Sequence, residues 1–159
     1  MTLVLRRCKP SDFQAVWALH QLASHVAGVP TPEPYFSDLH DVESAFLNSG
    51  GEFVVGEYQG QIVAMGGLKR TAGDRAEIIR MRVHPDFQRQ GFGSALLRHL
   101  EERAAALGYR MLHLDTLVMQ EAAQQFYLRH GYRCVGSGHK DAFEVVFFEK
   151  PVAFSQSEA

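Results

Sequence analysis

The chain has 159 residues, of which 46% are hydrophobic and 21% are charged, and its formal net charge is −2 at pH 7. These values are typical of one globular domain with a sizeable core. The balanced charge gives no basic footprint for nucleic acid or an anionic membrane, and no apolar run approaches the roughly 20 residues of a membrane span. We therefore expect a cytoplasmic protein without nucleic acid or membrane partners.

The first third of the chain predicts a strand, two helices and a loop. Residues 3–8 have strand composition, and a helix with Ser11 as its N-cap follows. Three prolines within 29–34 exclude regular structure and predict an extended loop. Helical spacing resumes over 37–48 and ends at Gly50.

The rest of the chain predicts alternating strands and helices. In order these are strands 53–58 and 61–68, a polar loop 69–75, a strand 76–83, a helix 94–107, a strand 111–116, a helix 120–130, and strands 132–135 and 143–149. The third strand, the helix after it and the fourth strand form a βαβ unit with parallel strands. No linker divides the chain, so we expect a single domain over 1–154 and a polar tail over 155–159.

Cysteine and histidine do not indicate a disulfide framework or a metal site. Cys8 and Cys134 lie far apart, which predicts two buried, reduced thiols. The eight histidines lack the spacing of metal ligands, so no metal is expected. His113 alternates with leucines in a predicted strand, which favours a structural role over that of a general base.

The segment between the strand 76–83 and the helix 94–107 has the composition of an anion-binding loop. Gly91 and Gly93 let the backbone approach a ligand closely, and the helix N-terminus adds unpaired N–H groups and a positive dipole end. A phosphate-bearing cofactor is expected. A P-loop is excluded because no Gly-Lys-Ser or Gly-Lys-Thr occurs, and a dinucleotide motif lacks its third glycine, where Leu96 stands.

The pattern that does fit is Q-x-x-G-x-G at Gln88, Gly91 and Gly93, followed by the segment Phe126-Tyr-Leu-Arg-His-Gly-Tyr132. Here the sequence resembles the GNAT superfamily of acyl-CoA N-acyltransferases over roughly residues 53–151. The resemblance implies an α/β (α+β) fold. Its sheet would be mixed and mostly antiparallel, with a central splayed pair of parallel strands and about four flanking helices.

The resemblance also implies acetyl-CoA as the cosubstrate. The pantetheine would pair with the exposed backbone of Met81, Arg82 and Val83 like an added strand. The loop would hold the pyrophosphate through Gln88, Arg89, Gln90, Gly91, Phe92, Gly93 and Ser94. Gln120 occupies the position where the family often has an Asn that contacts pantetheine. Its amide can donate and accept the same hydrogen bonds, but its side chain is longer and reaches a different distance.

Two residues are candidates for catalysis. Tyr127 matches the family tyrosine that approaches the CoA sulfur and would protonate the thiolate; its alternative is a core aromatic. Glu77 is the candidate base, or else a strand-end residue in solvent. Strand alternation places Glu77 on one face with Ile79, Met81 and Val83.

The expected function is transfer of an acetyl group from acetyl-CoA to the primary amine of a small molecule in a ternary complex. A protein or peptide N-terminal acetyltransferase and a non-catalytic acyl-CoA-binding module remain as alternatives.

Asp115 and Thr116 end the second parallel strand and either touch the acceptor or cap a turn. Three acidic residues could bind a cationic amine, namely Glu33, Asp38 and Asp41. The resemblance favours a homodimer through the C-terminal strands, and both faces of strand 143–149 are apolar. A monomer whose helices cover both faces would show the same sequence pattern.

Overall fold

The computed structural model describes residues 2–28 and 36–153, which form a mixed sheet with helices on both faces. The strands are β1 (Val4–Arg7), β2 (Glu52–Tyr58), β3 (Gln61–Ala72), β4 (Arg75–Val83), β5 (Met111–Leu117), β6 (Arg133–Lys140) and β7 (Phe143–Pro151). The α-helices are α1 (Phe13–Ala27), α2 (Val42–Ala45), α3 (Phe92–Ala106) and α4 (Glu121–Arg129).

The seven strands have the order β1-β2-β3-β4-β5-β7-β6, and every neighbouring pair is antiparallel except β4 and β5. These two strands are parallel because α3 carries the chain back to the same end of the sheet. They pair only from Arg75 to Glu77 on β4 and from Met111 to His113 on β5, and then separate. The predicted fold class, with its central splayed parallel pair, is confirmed.

A β-bulge interrupts β4 just after this pairing stops. Gly67 pairs with Ile79, and Met65 pairs with Arg82, so one residue of β3 faces two residues of β4. Arg80, one of these two, has a φ of 60°. A bulge bends its strand and resets the alternation of side chains.

The bulge changes which residues share a face of the sheet. Ile79 packs in the α1 and α2 core, whereas Met81 and Val83 pack in the α3 core with Ile78. The prediction that Met81 and Val83 share a face with Glu77 is therefore wrong, because it assumed uninterrupted alternation.

Each face of the sheet has its own apolar core. Leu96, Leu97 and Leu100 of α3 lie against one face and are fully buried. Val16 of α1 and Phe46, which follows α2, lie against the other and are also fully buried. The apolar stripe of each helix thus fixes the two layers that enclose the splayed strands.

Several predicted elements differ in detail in the structure. Helix α1 follows a 3₁₀ turn and is preceded by Asp12, not by the predicted cap Ser11; the Asp12 carboxylate accepts the Lys9 N–H at 2.9 Å. The predicted helix 37–48 is broken at Asp41, whose backbone is not helical and whose side chain accepts the Ser44 N–H at 3.4 Å.

The predicted loop 69–75 was also wrong. Lys69 pairs with Glu77 and Arg70 with Ala76, so most of this segment extends β3 and the turn itself contains Gly73 and Asp74. Polar side chains do not prevent strand formation where one strand pairs with another through the backbone. The proline-rich segment 29–34, Glu33 and the tail 155–159 lie outside the described residues.

The cysteines are both free, but only Cys8 is buried; Cys134 is exposed on β6, against the prediction.

Within 2–28 and 36–153, no helix is long and apolar enough to cross a membrane. In the same ranges no group of three or more His, Cys, Asp or Glu side chains is arranged to hold a metal ion.

Candidate active site

Two connected cavities open where β4 and β5 separate. The smaller one, of about 170 Å³, lies between the two strands and contains residues of both, from Glu77 to Arg82 and from Asp115 to Leu117. The larger one, a cleft of about 600 Å³, runs from the end of β4 past the start of α3 and along α4. The two cavities share four lining residues, which are Met81, Arg82, Ala123 and Tyr127.

The loop at the start of α3 has the backbone geometry of an anion site. Arg89 has a φ of 62° and Gly91 a φ of 82°, both in the left-handed region. The first hydrogen bond across this helix start runs from the Ala95 N–H to the Gly91 carbonyl at 3.0 Å. The N–H groups of Phe92, Gly93 and Ser94 precede it and therefore have no partner within the helix. Gly93 and Ser94 line the larger cleft, so the start of α3 forms part of its wall.

Neighbouring side chains hold this loop in place. The Gln88 amide donates to the Val83 carbonyl at 3.4 Å, which ties the loop to the end of β4. The Phe92 ring packs on Tyr58 at 5.1 Å between centroids, away from the cleft lining. Ser94 Oγ lies 3.0 Å from His130 Nε2, which links the start of α3 to the end of α4.

The edge of β4 that faces the cleft lacks a strand partner among the described residues from Ile78 onward, since the pairing with β5 ends at Glu77. Met81, Arg82 and Val83 line the larger cleft. Their opposite edge is occupied by β3. Such an open edge is a template for an extended chain of amide groups.

Tyr127 lies where the two cavities meet and is buried, with 9% of its surface exposed. Its hydroxyl donates to Met81 Sδ at 3.4 Å, and a thioether is a weak acceptor. The ring packs edge-on against Tyr132 at 5.6 Å between centroids. Burial raises the pKa of Tyr127 to about 12, against the lowering effect of the Arg82 charge. The phenol therefore stays protonated at neutral pH and keeps its hydrogen for donation.

A cluster of three charged side chains lines the smaller cavity. Lys140 Nζ is 3.3 Å from a Glu77 carboxylate oxygen and 3.0 Å from an Asp115 carboxylate oxygen. The Glu77 side chain is 13% exposed, and that of Asp115 is 21% exposed. Two carboxylates thus share one ammonium group at the cavity wall. Thr116 also lines this cavity, and its hydroxyl is buried without a partner in the described residues.

Two arginines line the cavity on the β4 side. Arg80 is 3.2 Å from the Asp38 carboxylate, which also pairs with Lys69 at 3.3 Å. The Arg82 Nη1 donates to the Met81 carbonyl at 2.8 Å, and its Nε lacks a partner within 2–28 and 36–153. Burial, together with the charge of Arg80, lowers the pKa of Arg82 to about 10. Asp38, one of the acids considered for substrate binding, is thus engaged with Arg80 and Lys69.

The structure brings most of the predicted site residues to these two cavities. The predicted residues along the larger cleft are Met81, Arg82, Val83, Gln88, Arg89, Gly91, Gly93, Ser94 and Tyr127. Glu77 and Gln120 line the smaller cavity instead, and the Gln120 side-chain oxygen accepts the Leu117 N–H at 3.3 Å. Gln90 and Phe92 line neither cavity. His113 contacts Thr71 Oγ1 through Nε2 at 2.7 Å.

Sequence reasoning missed two groups of lining residues. Ala122, Gln125, Phe126 and Arg129 line the larger cleft along α4. These residues lie three and four positions apart from one another on α4, which was a usable signal. Lys140 and Phe143 reach the smaller cavity from β6 and β7, and no local pattern indicates that placement.

A family model described as "Acetyltransferase (GNAT) family" matches residues 13–132. The rat protein N-acetyltransferase 8F1 is 29% identical over 105 residues, covering 63% of this chain and 48% of that protein. The chain thus spans about half the length of this relative. Acetyltransferase YE1169 of Yersinia enterocolitica is 31% identical over 69% of this chain and 73% of its own. The ribosomal protein bS18-alanine N-acetyltransferase of Salmonella typhimurium is 33% identical over 43% of this chain and 53% of its own.

Solved structures share the whole architecture. A GNAT-family acetyltransferase from Staphylococcus aureus superimposes with a TM-score of 0.88 at 19% identity, covering 96% of this chain and all of that one (100%). The PaiA N-acetyltransferase of Thermoplasma acidophilum, solved in complex with coenzyme A, has a TM-score of 0.76 at 18% identity, covering 95% of this chain and 99% of that one. At these identities the structures establish the fold, and the family model covers most of the chain. The chain belongs to the GNAT family of acetyltransferases.

Proposed function

We propose that this chain is an acetyl-CoA-dependent N-acetyltransferase that moves the acetyl group directly to the primary amine of a small molecule. The observation that carries the proposal is the meeting of the two cavities at Tyr127. A thioester carried along the larger cleft would end at this junction. An amine in the smaller cavity would reach its carbonyl from the other side without a covalent enzyme intermediate.

The larger cleft would hold the cofactor as the resemblance implied. The pyrophosphate would bind the N–H groups at the start of α3, with Arg89 and Arg129 nearby in the cleft wall. The pantetheine would pair with the open edge of β4 from Met81 to Val83. Of the two predicted residues outside the lining, Gln90 would contribute only backbone and Phe92 would support the loop by packing.

The chemistry needs a neutral amine, a stabilised tetrahedral intermediate and a proton for the thiolate. The amine nitrogen would attack the thioester carbonyl, whose oxygen gains charge near the N–H groups of β4. Collapse would then break the C–S bond, and the Tyr127 hydroxyl would give its proton to the departing sulfur. Glu77 would take the proton that the amine loses.

The size of the smaller cavity favours a small acceptor. Its volume of about 170 Å³ is below the roughly 300–1,000 Å³ of pockets that enclose drug-sized ligands. The match to a ribosomal-protein alanine N-acetyltransferase supports the second candidate, which is acetylation of a protein N-terminus. A peptide would have to enter this cavity by its terminal residue alone.

Alanine substitutions at Gly91 and Gly93 should have different effects. At Gly91 a Cβ meets no atom within 4 Å, but the φ of 82° makes Gly91→Ala cost about 1–2 kcal/mol of folding stability. At Gly93 a Cβ would lie 3.5 Å from Phe126, an ordinary contact, and alanine favours a helix by about 0.5–1 kcal/mol. Gly93→Ala should keep or raise the thermal midpoint yet weaken acetyl-CoA binding by roughly 10-fold or more, measured by calorimetry. Unchanged binding would contradict the proposed pyrophosphate site.

The Tyr127→Phe variant should keep acetyl-CoA binding and lose turnover. Only the hydroxyl is removed, so the ring packing is retained while kcat, followed by thiol release, should fall about 10²- to 10⁴-fold. The matched control is Tyr132→Phe, whose buried hydroxyl donates to Glu101 at 2.8 Å outside both cavities. Full turnover in Tyr127→Phe would remove its role as acid. Absence of thiol release in the unaltered protein with every amine tested would favour the binding-module alternative.

The Glu77→Gln variant should have an activity loss that depends on pH. If Glu77 accepts the amine proton, kcat/KM should fall about 10²-fold near neutrality. The deficit should shrink as the pH approaches the amine pKa, about 10 for an alkylamine, because the free base then arrives unaided. The control is Glu102→Gln on the exposed side of α3. An equal deficit at every pH would instead indicate that Glu77 only holds Lys140.

A further inference from the structure

The Arg82 side chain is partly buried, and its charge has no counter-charge in the described part of the chain. Its Nη1 donates to a neutral carbonyl, that of Met81, and its Nε has no partner there. Burying an unpaired cation is unfavourable, so such groups are usually matched by an acid or by a ligand. Arg82 borders the smaller cavity as well as the cleft.

The nearby acids are already engaged with other cations. Asp38 pairs with Arg80 at 3.2 Å and with Lys69 at 3.3 Å. Glu77 and Asp115 share Lys140 across the cavity, so that cluster carries one net negative charge. The lining of the cavity therefore includes an unmatched cation at Arg82 and a net negative cluster at Glu77 and Asp115.

The buried histidine behind these arginines responds to the same positive charge. His20 is fully buried, and both of its ring nitrogens lack partners in the described residues. Burial, together with the charges of Arg82 and Arg80, lowers the pKa of His20 to about 4. Neutral His20 thus adds no cation, and it supplies no anion for Arg82.

We infer that the acceptor is a small zwitterionic amine of the α-amino-acid type, whose carboxylate binds at Arg82 while its amine faces Glu77 and Asp115. This inference rests on the proposed function. A carboxylate would supply the missing counter-charge, and guanidinium groups are suited to carboxylates. The unpartnered Thr116 hydroxyl in the same cavity adds a second polar group for such a ligand. A peptide N-terminus lacks this charge, because its first carboxyl group is an amide.

The test compares matched acceptors by thiol release. The proteinogenic α-amino acids, their carboxamides and a peptide with an N-terminal alanine are each offered with acetyl-CoA. An amino acid should exceed its own carboxamide in kcat/KM by about 10- to 100-fold. The amine of a carboxamide is less basic than that of the free amino acid, so more of it is neutral at a given pH. Without carboxylate recognition the carboxamide would therefore react at least as fast as the amino acid. Equal or faster transfer to carboxamides or to the peptide would overturn the inference.

Replacing the guanidinium should abolish that preference. Arg82→Gln keeps the backbone of β4, so acetyl-CoA should still raise the thermal midpoint, while the KM for the amino acid rises and that for the carboxamide does not. The control is Arg98→Gln on the exposed side of α3, which should preserve the preference. An equal loss for both acceptors in Arg82→Gln would contradict carboxylate binding.

A stability measurement separates a ligand role from a structural one. Without ligand, Arg82→Met should unfold at the same or a higher temperature than the unaltered protein, because an unpaired buried charge is removed. A clear drop in the midpoint would show that Arg82 serves the fold and would overturn the inference.

Different results would refute the proposed function and this inference. If acetyl-CoA itself gives no thermal shift, the cofactor assignment is lost. If acetyl-CoA does give a thermal shift but no amine in the panel leads to thiol release, the acyl-CoA site is supported and the amino-acid acceptor is refuted.

Discussion

The short pairing between β4 and β5 is the constraint on which the site depends. Three pairs hold these strands together, and beyond Glu77 the sheet opens between them. The bulge at Arg80 bends β4 at this level and turns Met81 and Val83 toward the α3 core. Backbone groups that would otherwise complete a sheet are thereby left available to a ligand.

The rest of the fold makes that opening stable and gives it two ends. Helices on both faces bury the sheet, so the gap is enclosed by packed side chains. The start of α3 provides partial positive charge at one end of the larger cleft. Tyr127, held by the aromatic rings of its core, lies at the other end beside the smaller cavity. The order of these groups along one groove matches the order of phosphate, pantetheine and thioester in an acyl-CoA.

Charge divides the smaller cavity in a way that the cofactor alone does not require. Pantetheine pairing would use only the backbone of β4, yet the side chain of Arg82 brings a cation to the smaller cavity. Glu77 and Asp115 face it with Lys140 between them. Such a separation of charge suits an acceptor that carries both signs, and it links substrate choice to the same strand that would bind the cofactor.

Sequence patterns predicted the βαβ unit and the loop well because both depend on local signals. Each of these signals lies within a few neighbouring residues, namely the glycines, the apolar stripe of α3 and the Phe126–Tyr132 segment. The bulge was missed because Arg80 is an ordinary strand residue by composition, and its positive φ arises from pairing with β3. Lys140 was missed because it reaches the cavity from a strand 63 residues after Glu77. Long-range register decides such contacts, and local periodicity does not encode it.

The central claim is that the groove formed by the α3 start and the open β4 edge binds acyl-CoA. Thermal unfolding of the protein with CoA, acetyl-CoA, NAD and ATP tests it most directly, since a ligand of the folded state raises the midpoint by mass action. At about 100 times Kd, CoA and acetyl-CoA should each raise the midpoint by roughly 5–10 °C. NAD and ATP should not, because they offer phosphates without pantetheine. No shift with CoA, or an equal shift with NAD or ATP, would contradict the account.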